Sequence, residues 1–184
     1  MGRRILFLGP PGAGKGTQAA MLCSALGIPH VSTGVMLREA VAAGTELGKK
    51  ADSIMAAGDL VPDDLVVALV EERLSRDDAA CGYLLDGFPR NLAQAEALTA
   101  ALGDEAIEVA LLFEVDEDEV VARILGRAAE EGRADDNEET IRRRFEVYRE
   151  ETEPLIAAYS DRMIPVQGSG TVEEVFAGLV GALV

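Results

Sequence analysis

The chain has 184 residues, a formal net charge of −16 at pH 7 and 48% hydrophobic residues. One domain with a complete core is predicted, since folding at this length buries roughly 70% of the unfolded chain's surface. The acidity argues against binding to nucleic acid, whose phosphates carry the same charge. No apolar run approaches the roughly 20 residues that cross a bilayer and no signal-peptide core is recognisable, which predicts a cytoplasmic protein without a membrane segment.

Apolar runs with strand character recur along the chain, and each is followed by a helical pattern. They span Arg4 to Leu8, Tyr83 to Leu85, Val109 to Val115 and Met163 to Val166, with a short further candidate at Ile28 to Val31. Strands that alternate with helices predict an α/β fold, a parallel sheet with helices on both faces. Ligands of such sheets bind at the carboxyl ends of the strands.

Two segments interrupt this alternation. Residues 34–75 carry two or three consecutive helical patterns, separated at Gly44, Gly58 and Pro62, which predicts a helical insert beside the sheet. Residues 126–137 are rich in glycine, arginine and acid, and they predict a short polar loop.

The stretch LGPPGAGKGT, Leu8 to Thr17, follows the first apolar run and precedes a segment rich in helix formers. A strand, a glycine loop and a helix in this order let backbone N–H groups and a helix N-terminus cradle phosphate. Lys15 would supply charge for the phosphate oxygens, and the glycines that allow the tight turns are Gly9, Gly12 and Gly14. Gly16 stands where Ser or Thr is usual, with Thr17 one place later.

Asp86 ends a second apolar run, in YLLDGFPRN, where a carboxylate is costly unless it faces a metal or a cation. In P-loop proteins an acid at this position serves Mg²⁺. Pro89 would stiffen the turn that presents Arg90.

The basic residues are three lysines and 14 arginines, and the positions of several arginines indicate a function. Arg123 and Arg127 share one helix face because they are four residues apart. A solvated surface is predicted for Arg142 and Arg143. Positions at loop edges favour phosphate binding for Arg38, Arg90, Arg127, Arg133 and Arg144.

Cys23 and Cys81 are the two cysteines, and His30 is the single histidine. This set is too small for a disulfide framework or a zinc site. Both thiols are predicted to be buried and inert.

Six motifs occur in the order and approximate spacing of the adenylate kinase family, which the chain resembles over essentially its whole length. They are GPPGAGKGTQ, STGVMLR, GDLVPDDLV, LLDGFPRNLAQAEAL, GRADDNEETIRRRFEVY and PLIAAY. The resemblance implies a P-loop NTPase core with a five-stranded parallel sheet, at residues 1–31, 62–125 and 137–184. It also implies a nucleoside-monophosphate-binding insert at 32–61 and a short lid at 126–136.

The activity that the resemblance implies is reversible phosphoryl transfer from Mg·ATP to AMP, giving two ADP, by a monomer with Mg²⁺ as its cofactor. Residues that would bind ATP are Gly12, Ala13, Gly14, Lys15, Gly16, Thr17, Arg123, Arg127 and Gly170. Those that would bind AMP are Thr33, Arg38, Asp59, Leu60, Val61, Gly87, Phe88, Pro89, Arg90, Gln94, Arg133 and Arg144. The catalytic set would be Lys15, Arg90, Arg133, Arg144 and Asp86, with Asp86 directing Mg²⁺ through water and Asp135 and Asp136 holding the lid arginines.

Two departures from the family pattern stand out. The lid is the short form, because only AAEEG separates Arg127 from Arg133, and no structural zinc is implied. Val35 stands where the family usually has an acid.

Two alternatives stay open. A UMP/CMP kinase shares the phosphate loop and DGFPRN, and Asn91 favours it, whereas Gln94 favours an adenine edge. A non-catalytic adenine-nucleotide-binding protein is the other, although such a protein has no need of Lys15 and the arginines that stabilise a transferring phosphoryl group.

Overall fold

A computed structural model describes residues 3–131 and 137–183, with side chains described except at 127–131. The strands are β1 (Arg4–Leu8), β2 (His30–Ser32), β3 (Tyr83–Asp86), β4 (Val109–Glu114) and β5 (Met163–Gln167). They form a parallel five-stranded sheet in the order β2-β3-β1-β4-β5, which confirms the predicted α/β class.

The helices of the described residues follow the strands as the alternation predicts. They are α1 (Lys15–Leu26), α2 (Thr33–Ala42), α3 (Glu46–Ala57), α4 (Asp63–Leu74), α5 (Leu92–Leu102), α6 (Glu117–Glu131), α7 (Glu138–Val147), α8 (Pro154–Ala158) and α9 (Val172–Leu183). None of them is long and apolar enough to cross a membrane.

Strand β1 explains how both faces of the sheet are covered. It lies between β3 and β4, and alternate side chains enter two separate apolar clusters. Leu6 packs in the cluster that α2, α4 and α5 complete, whereas Ile5 and Phe7 pack in the cluster that α1 and α9 complete. A strand buried on both sides has to be apolar throughout, as this one is.

The predicted run of helices without a strand is confirmed as α2, α3 and α4. Gly58 ends α3 in the left-handed conformation, with φ of 82°. Gly48 lets α2 and α3 approach closely, because a Cβ there would lie 2.1 Å from the carbonyl oxygen of Ala40. Within the insert, the backbones of α2 and α3 can therefore pack this closely only because residue 48 is glycine.

The loop predicted at 126–137 is wrong in part. The segment 126–131 is helical and belongs to α6, because Arg127, Ala128, Ala129, Glu130 and Glu131 are good helix formers and Gly126 costs only about 1 kcal/mol. The remainder of the predicted lid, 132–136, lies outside the described residues.

The two cysteines differ in burial, so the prediction that both are buried is wrong for one of them. Cys23 is buried, and burial, with the negative charge of Asp86 as a smaller cause, raises its pKa to about 11. Cys81 is exposed, because it lies in the turn before β3 and the buried strand starts only at Tyr83.

Candidate active site

The glycine loop lies at the carboxyl end of the central strand, between β1 and α1. Gly9 and Gly12 have φ of 139° and 83°, a region that favours glycine. A Cβ on Gly9 would lie 2.9 Å from Phe113 Cβ, and one on Gly12 would lie 2.5 Å from Ile124 Cγ1. The loop thus needs glycine for its backbone path and for its packing against β4 and α6.

Lys15 is anchored on this loop. Its Nζ atom donates to the carbonyl oxygens of Gly9 and Pro10, each at 2.7 Å. The charge is therefore held beside the backbone N–H groups that open α1, where a phosphate chain can receive both.

A cleft of about 740 Å³ opens in front of the loop. Its described lining carries one carboxylate, Asp86, against several cationic side chains that come from different elements. The cations are Lys15, Arg38, Arg90, Arg123 and Arg144. In a chain of net charge −16 this concentration of positive charge marks a site for a strongly anionic ligand.

Asp86 ends β3 and is only 9% exposed. Burial acts to raise the pKa of this carboxyl, but the hydrogen bond with His30 and the charges of Lys15, His30 and Arg90 outweigh it and lower the pKa. His30 Nε2 lies 3.1 Å from Asp86 Oδ2. Asp86 is consequently ionised at neutral pH although it is buried.

The residues around Asp86 suit magnesium. Mg²⁺ prefers oxygen ligands and is usually bound through one or two carboxylates together with substrate phosphates. Asp86 supplies one carboxylate to the cleft, and the exposed Thr17 and the neighbouring Ser32 add hydroxyl groups to the same lining. No group of three or more acids, histidines and cysteines that could hold an ion by itself lies among the described residues.

A second, smaller pocket continues from the cleft toward the helical insert. It shares Arg38, Gly58, Arg90 and Arg144 with the cleft. It also shares the predicted acceptor-site residues Leu60 and Gly87 with the cleft, and its further walls include Thr33, Asp59, Val61 and Gln94. The structure therefore brings most of the residues predicted for AMP together around one pocket.

Phe88 and Pro89 belong to the residues predicted for AMP but are not among those that line the second pocket. The Phe88 side chain is 1% exposed and packs in the hydrophobic core, so this side chain is part of the core rather than of the pocket wall. Pro89 lines the main cleft. Around them, Thr33 Oγ1 and Arg90 Nε both donate to the carbonyl oxygen of Gly87, at 2.7 and 2.9 Å.

The wall of the cleft opposite the insert contains Arg123 and Gly170. Arg123 donates to the carbonyl oxygen of Gly168 at 3.0 Å and forms an ion pair with Glu119, which also accepts from the hydroxyl of Ser169. These contacts hold the guanidinium at the cleft. The Arg127 side chain, Arg133, Asp135 and Asp136 lie outside the described residues.

Helix α7 separates its three consecutive arginines as predicted. Arg144 lines the cleft and the second pocket. Arg142 is exposed and pairs with Glu138, and Arg143 is exposed and pairs with Asp59 and Glu146.

Contacts between the insert and α7 are not predicted from the sequence. Thr140 Oγ1 donates to the carbonyl oxygen of Ala56 at 3.1 Å, and Arg143 Nε lies 2.7 Å from Asp59 Oδ1. The backbone at Gly58, between Ala56 and Asp59, approaches α7 closely, since a Cβ on Gly58 would lie 3.0 Å from the Thr140 carbonyl oxygen. The insert is thus closed onto α7 beside the second pocket.

A central strand that runs into a phosphate loop, facing a helical insert across a cationic cleft, defines a P-loop protein that handles nucleoside phosphates. The family model for adenylate kinase matches residues 7–164. The chain belongs to the adenylate kinase family.

Full-length relatives agree with this assignment. The chain is 54% identical to an adenylate kinase of Corynebacterium aurimucosum, over 94% of each chain. It is 52% identical to one of Thermobifida fusca, over 98% of this chain and 97% of the relative. It is also 52% identical to one of Thermus thermophilus, over 100% of this chain and 98% of the relative.

Proposed function

We propose that the chain transfers the γ-phosphoryl group of ATP reversibly to AMP, giving two ADP. The observation that carries this is the cleft that joins the phosphate loop to the insert pocket through a ring of cationic side chains. Two phosphate chains can meet there, one on the loop and one among the arginines of the insert side. We further propose that the enzyme is a cytoplasmic monomer, as the family resemblance implies.

The two nucleotides would occupy opposite ends of the cleft. We assign ATP to the core, at residues 12–17 with Arg123, Arg127 and Gly170. We assign AMP to the insert at residues 32–61 and to the segment 87–94, which ends in the first turn of α5. The lining of the cleft and of the second pocket supports this division. The short lid at 126–136, with Arg133, would close over the phosphates.

Phosphoryl transfer requires positioning and charge stabilisation more than covalent help from the protein. Lys15 is held where it can stabilise the charge that develops on the transferring group, and Arg90 and Arg144 can grip the acceptor phosphate in bidentate geometry. Asp86, with Thr17 nearby, would hold Mg²⁺ through water. When bound, Mg²⁺ neutralises charge on the β- and γ-phosphate oxygens.

Closure of the site protects the phosphoryl group from water. An exposed γ-phosphoryl group next to activating cations could be hydrolysed, so closure with both nucleotides bound excludes that side reaction. The contacts of Thr140 and Arg143 with the insert support such a closed form.

Asn91 is the residue that favours the UMP/CMP kinase alternative over AMP. In the structure Asn91 caps α5, since its Oδ1 accepts from the backbone N–H of Gln94 at 2.8 Å. A capping role accounts for this asparagine without a contact to a base. Gln94 is the amide that lines the acceptor pocket.

A coupled assay of ADP formation tests the proposal. We expect turnover with ATP plus AMP, little ATP hydrolysis without AMP, and kcat/KM for AMP at least about 100-fold above CMP and UMP. Equal kcat/KM for AMP and CMP would favour the pyrimidine kinase, and tight binding without turnover would favour the non-catalytic alternative.

Metal analysis completes the test. We expect no stoichiometric zinc in the purified chain, and we expect chelators to act only by removing Mg²⁺. One zinc per chain would contradict this.

A further inference from the structure

The amide of Gln94 is engaged by the protein at both of its polar ends. Gln94 lies in the first turn of α5, is 1% exposed and lines the acceptor pocket. Its Nε2 donates to Asp63 Oδ1 at 2.7 Å, and its Oε1 accepts from the backbone N–H of Arg90 at 2.8 Å. The amide therefore has a defined direction before any nucleotide binds.

The alternative amide orientation is excluded by these partners. A carboxylate only accepts hydrogen bonds and a backbone N–H only donates, so a flipped amide would set oxygen against oxygen and N–H against N–H. An amide has two N–H donors and two carbonyl lone pairs. After the contacts with Asp63 and Arg90, one donor and one lone pair are left for a ligand.

Asp63 is itself fixed in place. It is the first residue of α4, and both of its carboxylate oxygens accept from Asn91 Nδ2, at 3.1 and 3.3 Å. Asn91 in turn caps α5 through the N–H of Gln94. Asp63, Asn91 and Gln94 thus form a closed hydrogen-bond network between α4 and α5.

A fixed amide direction matters because adenine and hypoxanthine present opposite patterns of hydrogen-bond donors and acceptors at the same edge of the base. The 6-aminopurine adenine offers an amino donor next to the N1 acceptor, which matches the carbonyl oxygen and N–H that Gln94 leaves available. The 6-oxopurine hypoxanthine offers a carbonyl acceptor next to an N1–H donor, which matches the flipped amide. A site that hydrogen-bonds one pattern leaves buried groups unpaired with the other.

We propose that Asp63 is a positioning residue that fixes the polarity of the Gln94 amide and so makes the acceptor site select 6-aminopurine over 6-oxopurine nucleoside monophosphates. This rests on the proposed function, since it assumes that the pocket accepts the monophosphate. Asp63 acts through Gln94 and stands behind the pocket wall, because it does not line the pocket among the described residues.

The experiment compares Asp63→Asn and Asp63→Leu with Asp64→Asn. Asp64 is the matched control, since it lies in the same first turn of α4 but is exposed. For each variant, kcat/KM is measured with AMP and with IMP, together with KM for ATP and the thermal unfolding midpoint. The AMP to IMP ratio is the readout that general loosening of α4 would not change.

We expect Asp63→Leu to lower the ratio of kcat/KM for AMP over IMP by about tenfold, the size of a hydrogen bond to a charged group. Asp63→Asn should lower it less, because its amide oxygen can still accept from Gln94. KM for ATP should stay within about twofold in both, and Asp64→Asn should match wild type. In a Gln94→Leu background, Asp63→Asn should leave the ratio unchanged, as a double-mutant cycle requires of residues that act as one unit.

The outcomes separate the two proposals. A wild-type enzyme that phosphorylates AMP, with an AMP to IMP ratio that both Asp63 variants leave unchanged, overturns the positioning role. So does an additive effect of Asp63→Asn in the Gln94→Leu background. A wild-type chain that phosphorylates neither nucleotide overturns the proposed function instead. If Asp63→Leu does not fold, the ratio of the conservative Asp63→Asn variant decides.

Discussion

The phosphate loop meets a ring of cleft-lining arginines, here called the arginine ring, but the two are built in different ways. The loop is local: Lys15 is held by carbonyl oxygens only six and five residues earlier in the chain. The ring draws Arg38, Arg90, Arg123 and Arg144 from separate elements. The contacts that hold Lys15 therefore lie within one short segment between β1 and α1, whereas the ring depends on the whole tertiary arrangement.

This difference suggests a division of work. A group held by its own loop costs little reorganisation at the moment of reaction, which is what electrostatic stabilisation of a transition state requires. Groups carried by an insert and by α7 move when those elements move, so they can couple substrate binding to closure. Variants of the loop should then reduce the rate, and variants of the closure contacts should mainly alter binding of the acceptor.

The largest effect is expected for Lys15→Met. Removing a preorganised charge from the transferring group should lower kcat by about 100-fold or more, with the fold intact. Lys49→Met is the matched control, since Lys49 is exposed on α3 and pairs with Glu46 of the same helix, away from the cleft lining. Steady-state kinetics and thermal unfolding of both variants check this, and a folded Lys15→Met enzyme with near-normal kcat refutes the phosphate-loop assignment.

The next largest effect is expected at the proposed magnesium site beside the phosphate loop. Asp86→Asn should reduce activity between about 10- and 100-fold at every accessible Mg²⁺ concentration, as for loss of a group that orients a metal's ligands. Val35 lines the same cleft and is 43% exposed, so an acid can be placed there without burying it. Val35→Asp should lower the Mg²⁺ needed for half-maximal rate and leave the maximum little changed.

Titration of the rate against Mg²⁺ at fixed ATP and AMP tests both variants. An Asp86→Asn enzyme that excess Mg²⁺ restores fully contradicts this account of the metal. A Val35→Asp curve that overlays that of wild type contradicts the second part.

The sequence predicts the local half of the site as a unit, whereas it predicts the arginines of the ring one by one and not how their elements bring them to one cleft. Glycine spacing, the strand before it and the helix after it lie within one short segment, and the apolar run that ends at Asp86 is equally compact. The alternation of strands and helices predicts the parallel sheet for the same reason, since each element is marked by its own residues.

The residues that sequence reasoning misses act across elements. His30 reaches Asp86 only because β2 pairs with β3, and Asp63 reaches Gln94 only because α4 packs beside α5. Thr140 contacts the insert from 84 positions away. No local pattern specifies such neighbours. The helical state of 126–131 escapes prediction for a different reason, because Gly126 suggests a helix break that the helix formers after it outweigh.

Within the ring, Arg144→Lys should lower kcat by about tenfold although the charge is kept, because the bidentate fork to phosphate is lost. Arg142→Lys is the control, since Arg142 is exposed on the same helix and pairs with Glu138. Kinetics at saturating ATP and AMP distinguish the two positions. Equal activity of both lysine variants would mean that Arg144 does not grip a phosphate.

The smallest effect is expected for the contact that closes the insert. Arg143 and Asp59 are both exposed by close to half, and an exposed ion pair contributes little because water and salt screen it. Arg143→Gln should therefore raise KM for AMP about two- to fivefold while kcat and KM for ATP stay close to wild type. The increase should shrink as salt rises from about 10 mM to about 0.5 M, because salt screens exposed charges.

Glu146→Gln is the matched control for this contact. Arg143 also pairs with Glu146 on its own helix, so this variant removes a charge from beside Arg143 without touching the insert. It should leave KM for AMP unchanged. If both variants raise KM equally, the effect comes from a general disturbance of α7 rather than from the contact with the insert, because the two substitutions change the charge of α7 in opposite directions. If Arg143→Gln changes kcat as strongly as Arg144→Lys does, the arginine ring extends to Arg143 and closure is part of the chemical step.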